Sequence, residues 1–172
     1  MPILRHLELV LRKISRLGFY LASALLLVVG LIGAADVISS NLFRRPIPGL
    51  VELSGVLLAV IVMLGLAEAQ ARGAHIVIDV ATERMHPRLR KLSQLFSLLV
   101  GVVFMSLVAV QATRQAMNSW RWGETALGAM AFPVAPFKSA AAFGAWLACV
   151  EFARQFVVRL FARALSEEHK DA

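Results

Sequence analysis

Four long apolar segments constrain this chain more than any other feature of its sequence. A helix needs about 20 apolar residues to cross the ~30 Å hydrocarbon core of a bilayer, because it rises about 1.5 Å per residue. Blocks of about this length occur at residues 17–37, 50–69, 92–113 and 137–158. Hydrophobic residues make up 59% of the 172 residues, too many for a soluble domain. We therefore predict an all-α integral membrane protein with four transmembrane helices in two hairpins.

The first 17 residues predict an amphipathic helix in front of the first span. Ile3, Leu7 and Val10 recur at helical spacing, with basic residues elsewhere around the helix, a pattern typical of a helix at the membrane interface. A basic segment before an apolar run also describes a signal peptide, but the uncharged stretch Leu17–Ala35 is longer than the ~7–15 residues of a signal. We therefore predict an interfacial helix (1–17), a four-helix membrane domain (18–160) and a cytoplasmic tail (161–172).

The basic residues predict how the chain is oriented. Of the 18 Lys and Arg residues, thirteen lie in the N-terminal segment, the central connector 68–91 and the C-terminal region. The other five lie in or just after the two remaining connections and are Arg44, Arg45, Arg114, Arg121 and Lys138. Because cytoplasmic loops carry an excess of Lys and Arg, both termini and the central connector are expected in the cytoplasm. This orientation explains the net charge of +7. The cations form no stripe with aromatic residues of the kind that indicates a nucleic-acid partner.

Signatures of catalysis and of cofactor binding are missing from the sequence. It contains no Walker loop, no zinc-ligand spacing, no G-x-S-x-G and no H-E-x-x-H. Its four histidines all lie outside the spans, so none is placed as a haem ligand. Charged residues cluster at the ends of the spans, which disfavours a solute pathway inside this chain. We predict that the chain is not an enzyme and has no catalytic, cofactor-binding or metal-binding residues.

Other residues are candidates for packing or for binding a partner. Ala140, Gly144 and Ala148 recur every four residues, the spacing that allows two membrane helices to approach closely. Two pairs in the connector, Glu68 with Arg72 and His75 with Asp79, have the spacing of neighbours on one helix face. The full set of candidates for a partner interface or a structural role is Asp36, Arg45, Gly49, Glu52, Glu68, Arg72, His75, Asp79, Glu124, Pro133, Pro136, Ala140, Gly144 and Ala148.

Three short motifs occur in an order and spacing that resemble a known family over roughly residues 19–156. They are Arg45-Pro46 and Pro48-Gly49 followed by Glu52-Leu53, then His75-Ile76-x-x-Asp79, then Glu124 ahead of Pro133-x-x-Pro136-Phe137-Lys138 and Gly144. With four spans and both ends in the cytoplasm, the chain resembles the small membrane subunit of tripartite ATP-independent periplasmic (TRAP) transporters, the DctQ-like family.

The resemblance implies a subunit of the bacterial inner membrane that scaffolds a large multi-span subunit. With an extracytoplasmic substrate-binding protein, such a complex imports organic acids, such as dicarboxylates or sugar acids, by sodium symport. The complex as a whole would use the sodium gradient, and this chain would bind no cofactor. Besides the two protein partners, this chain would contact membrane lipids. Two alternatives stay open at this point: an autonomous small homo-oligomeric transporter or channel, and a quinone- or haem-linked enzyme subunit.

Overall fold

Four long helices account for almost all of the structure. The computed structural model describes residues 2–72, 87–126 and 130–168. Its helices are α1 (Pro2–Phe43), α2 (Leu50–Ala71), α3 (Pro87–Trp122) and α4 (Ala135–Glu168). Each contains a segment long and apolar enough to cross a membrane: Val10–Phe43, Leu50–Ala71, Leu92–Trp122 and Ala135–Leu160. The prediction of an all-α protein with four apolar helices is confirmed, and the described residues contain no strand.

Three of the helices continue beyond the apolar blocks. The amphipathic N-terminal residues and the first span form the single helix α1, without a break between them. Helix α3 continues to Trp122, so residues 114–122 are helical and do not belong to the connection in which the sequence placed them. Residues 114–122 contain no glycine or proline, which explains this extension. Helix α4 likewise includes most of the predicted tail, ending at Glu168.

The helices pack in an order that differs from their order in the chain. Helix α4 packs against both α2 and α3, while α1 packs mainly against α2. The spatial order is therefore α1, α2, α4, α3, and neither α1 nor α2 packs extensively against α3 in the described residues. The helices thus form an open row instead of a closed bundle, and α4 is the helix that joins the two hairpins.

Two small buried clusters hold this row together. The first lies where α1, α2 and α4 meet, and consists of Ala22, Val60, Ile61 and Leu64. The second lies among α2, α3 and α4, and consists of Ala67, Met105, Leu147, Ala148 and Cys149. Many of these side chains are small, which brings the helix axes close together.

The predicted stripe Ala140, Gly144 and Ala148 lies on the face of α4 that packs against α2. A Cβ atom at Gly144 would lie 2.8 Å from the backbone nitrogen of Leu64, so the two backbones are in direct contact there. Ala148 is fully buried, and Ala140 packs against the cluster around Leu64. The stripe therefore joins two helices of this chain.

Candidate partner-binding surfaces

Side chains of α1 fix the turn that leads into α2. The carboxylate of Asp36 accepts a hydrogen bond from the backbone N–H of Ile47 at 2.6 Å. The hydroxyl of Ser39 donates to the carbonyl oxygen of Arg45, also at 2.6 Å. Pro46 has no N–H to donate, and the two side-chain bonds add to backbone bonds from Arg45 to Ser39 and from Leu50 to Ile47, both of 3.4 Å. Asp36 therefore has a structural role, and Arg45 is held through its backbone while its side chain is exposed.

Gly49 precedes α2 and brings the two hairpin turns together. Its φ of +76° lies in the left-handed region, which glycine adopts without steric cost. A Cβ atom at Gly49 would lie 2.6 Å from the Cβ of Met130 in the α3–α4 connection, so no larger residue fits without a shift. Glu52 lies in the first turn of α2, where the helix dipole favours a carboxylate.

Glu124 organises the connection between α3 and α4. Helix α3 ends at Trp122. Gly123 follows it with a φ of +58°, and the N–H of Glu124 donates to the carbonyl of Ser119 at 3.0 Å, as in a Schellman cap. The Glu124 carboxylate accepts hydrogen bonds from the Lys138 ammonium at 2.6 Å and the Ser119 hydroxyl at 2.5 Å. Both donors hold the pKa of Glu124 below its ordinary value of 4.5, and the bond from Lys138 has the larger effect.

The two candidate prolines shape the same connection. Thr125 and Pro133 form an isolated antiparallel bridge, and the N–H of Val134 donates to the carbonyl of Glu124 at 3.2 Å. Pro136 lies in the first turn of α4, where the missing proline N–H removes no helical hydrogen bond. Both prolines therefore help to direct the chain from α3 back into α4.

At the other end of the hairpins, α2 ends with a charged pair. Arg72 Nε lies 2.9 Å from Glu68 Oε1, as the four-residue spacing of the pair predicts. The guanidinium of Arg72 also lies 5.3 Å from the ring centroid of Phe19, a cation–π contact that ties the end of α2 to α1. The second predicted pair, His75 with Asp79, lies outside the described residues.

A buried polar cluster next to this pair joins α2 to α4. The Gln155 amide donates to the backbone carbonyl of Gln70 at 2.6 Å and to the Glu151 carboxylate at 3.2 Å. The Gln70 amide donates to Gln155 at 3.0 Å, and Arg154 contacts both carboxylate oxygens of Glu151. Gln70 and Glu151 are each only 2% exposed. No sequence motif indicates this cluster; its only sequence signal is the polar residues near the ends of two apolar blocks.

The acidic groups in the part of the chain that the structure describes bond mainly to neighbouring groups of the same chain. Among the described residues, no group of three or more His, Cys, Asp or Glu residues is placed to hold a metal ion. The carboxylates of Asp36, Glu68, Glu124 and Glu151 are each hydrogen-bonded within the chain. These contacts hold helices and turns together.

The surface of the row is strongly apolar. Exposed large hydrophobic side chains line the two outermost helices, among them Leu27, Leu31 and Leu42 of α1 and Phe96, Phe104 and Leu107 of α3. Within a bilayer, such surfaces contact lipid or another membrane protein. The fold and its surfaces thus define a small helical membrane protein.

Comparison with protein families identifies which subunit this is. The family model for the DctQ component of the tripartite ATP-independent periplasmic transporters matches residues 29–163, and the chain belongs to this family. No curated protein sequence matched the chain. The family is a component of a transporter and not a family of enzymes, and membership implies a large membrane subunit and a binding protein as partners. The resemblance found in the short motifs is thereby confirmed.

Proposed function

We propose that this chain scaffolds the large transport subunit of a sodium-driven, binding-protein-dependent importer of organic acids, such as dicarboxylates or sugar acids. The observation that carries the proposal is the open row of helices. Near the helix ends, Glu124 is paired with Lys138 and Gln70 with Gln155, whereas large apolar side chains are exposed along the two outermost helices. A subunit of this kind contributes a membrane-embedded packing surface, and its partner contributes the substrate site.

Sodium coupling and substrate binding belong, in this proposal, to the large subunit. This chain binds neither sodium nor a cofactor. Its buried carboxylates, Glu68 and Glu151, are each neutralised by an arginine of the same helix, at 2.9 Å and 2.6 Å. A carboxylate paired in this way is a weak ligand for a transported cation, because the arginine already occupies it.

The proposed orientation places both termini and the central connector in the cytoplasm, as the excess of Lys and Arg supports. The contact between Arg72 and Phe19 marks the level at which α2 ends against α1. Residues 2–17 of α1 extend about 24 Å beyond that level at 1.5 Å per residue. We place this amphipathic segment at the cytoplasmic interface, where the exposed cations Lys13 and Arg16 meet anionic headgroups.

Co-expression with the large subunit of the same transporter tests the proposal. The tagged chain, extracted in mild detergent, should recover the large subunit. Liposomes that contain both subunits and the binding protein should take up substrate in response to a sodium gradient, and liposomes with this chain alone should not. Uptake by the chain alone would contradict the proposal and favour an autonomous homo-oligomeric transporter.

A further inference from the structure

An open groove runs between α2 and α3, and α4 forms its floor. We call it the α2–α3 groove; it has a volume of about 510 Å³. Its walls include Gly55 and Ala59 of α2 and Ala112 of α3, and Ala141 lies on its floor. The α2 wall, from Gly55 to Met63, extends for about 12 Å at 1.5 Å per residue, a little over two helical turns.

The small residues of the α2 wall face open space as far as the described part of the chain extends. A Cβ atom at Gly55 would meet no atom within 4 Å, in contrast to one at Gly144, which would contact the backbone of α2. Both Gly55 and Ala59 are exposed. A glycine inside a helix is less favourable than alanine, and no contact among the described residues offsets this cost at Gly55. Small residues of this kind are typical of faces where another membrane helix approaches closely.

Two glutamines on the α3 wall indicate what the groove receives. Gln111 and Gln115 are four residues apart, so they lie on one face of α3, and both line the groove. Both residues are exposed, and neither side-chain carboxamide has a hydrogen-bond partner among the described residues. Gln111 lies inside the apolar block 92–113, where an acyl chain offers no hydrogen bond. A polar side chain on a neighbouring helix does offer one, and such bonds join membrane helices.

We propose that the α2–α3 groove receives one transmembrane helix of the large subunit. This helix approaches α2 closely at Gly55 and Ala59, and it presents polar side chains to Gln111 and Gln115. The inference rests on the proposed function and adds to it the place of contact. It also explains why α2 and α3 do not pack extensively against each other in the described residues, because the partner helix lies between them.

A matched pair of glycine substitutions tests the inference. Gly55→Leu fills the groove, whereas Gly30→Leu places the same side chain on α1, where a Cβ likewise meets nothing within 4 Å. Recovery of the large subunit by the tagged chain should fall about tenfold for Gly55→Leu, as expected for an overpacked contact, and stay unchanged for Gly30→Leu. Each variant purified alone should unfold at a temperature no lower than that of the unsubstituted chain, because leucine is a better helix former than glycine.

The outcomes separate this inference from the proposed function. If the unsubstituted chain recovers no large subunit, the proposed function itself fails. If it does, and Gly55→Leu recovers as much as Gly30→Leu, only the groove is overturned.

Cross-linking gives a second test, in which no large side chain is introduced into the groove. Ala59→Cys and, as control, Gly30→Cys would be labelled in membranes with a short photoreactive maleimide; the native Cys149 is buried. A cross-link from Ala59 to the large subunit, stronger than that from Gly30, is expected. A product of two copies of this chain, a product with lipid alone, or equal products from the two positions would overturn the inference.

Discussion

Gly144 of α4 lies directly against the backbone of Leu64 in α2, with 2.8 Å between the position of its missing Cβ and the Leu64 nitrogen. A neighbouring backbone atom cannot rotate away as a side chain does. The contact therefore sets the distance between the two helices that join the hairpins. The carboxamide pair of Gln70 and Gln155 and the buried Ala148 lie along the same seam and depend on that distance.

Substitution of Gly144 should therefore destabilise this chain itself. Gly144→Ala should lower the free energy of unfolding by about 1–3 kcal/mol, the usual cost of overpacking, and Gly144→Leu should prevent folding. Thermal unfolding in detergent measures the first effect. Gly30→Ala is the matched control, since its new methyl group meets nothing within 4 Å. A Gly144→Ala chain as stable as this control would contradict the close contact.

Gly101 of α3 differs in a way that makes a rescue experiment possible. Its missing Cβ faces the ring of Phe152 in α4, which is a side chain and can move. Gly101→Ala should therefore destabilise the chain less than Gly144→Ala does. The double variant Gly101→Ala with Phe152→Leu should recover part of the loss in unfolding temperature, because the ring no longer occupies the space. Additive losses in the double variant would show that the ring is not the obstacle.

The sequence predicted the number and type of the helices because the length of an apolar block is a local property. The spacing of Glu68 and Arg72 likewise predicted their contact, since residues four apart on a helix are neighbours. The spatial order of the four helices could not be predicted from the sequence, because it depends on which helix surfaces fit together. For the same reason, no pattern paired Gln70 with Gln155, which are 85 residues apart. The continuation of α3 to Trp122 was missed because charged residues at its end resembled a connection.

The amides of Gln70 and Gln155 should be energetically coupled. Gln155→Leu removes the donor to the Gln70 carbonyl and leaves polar groups of Gln70 buried without partners, a loss of about 1–3 kcal/mol. Gln70→Leu should also destabilise the chain. The double variant should lose less than the sum of the two, because no side-chain amide is then left unpaired. A double-mutant cycle on unfolding free energies measures the coupling, and strict additivity would contradict it.

The ion pair between Glu124 and Lys138 should make stability depend on pH in the acid range. Because Lys138 and Ser119 lower the pKa of Glu124, the folded chain holds the charged carboxylate more strongly than the unfolded chain does. The resulting stabilisation is complete above the ordinary pKa of 4.5 and is lost as the pH falls through the lower folded pKa. At pH 7 the contribution should be modest, since the Glu124 side chain is 47% exposed and solvent screens the pair.

A double-mutant cycle of Glu124→Gln and Lys138→Met at two pH values tests this dependence. The coupling in unfolding temperature should be measurable at pH 7 and should disappear at a pH well below 4.5, where the carboxylate is protonated and no longer pairs with the ammonium. Ser119→Ala should leave the coupling in place at pH 7, because it removes only the second donor to the carboxylate. A coupling of equal size at both pH values would show that the two side chains interact through packing and not through charge.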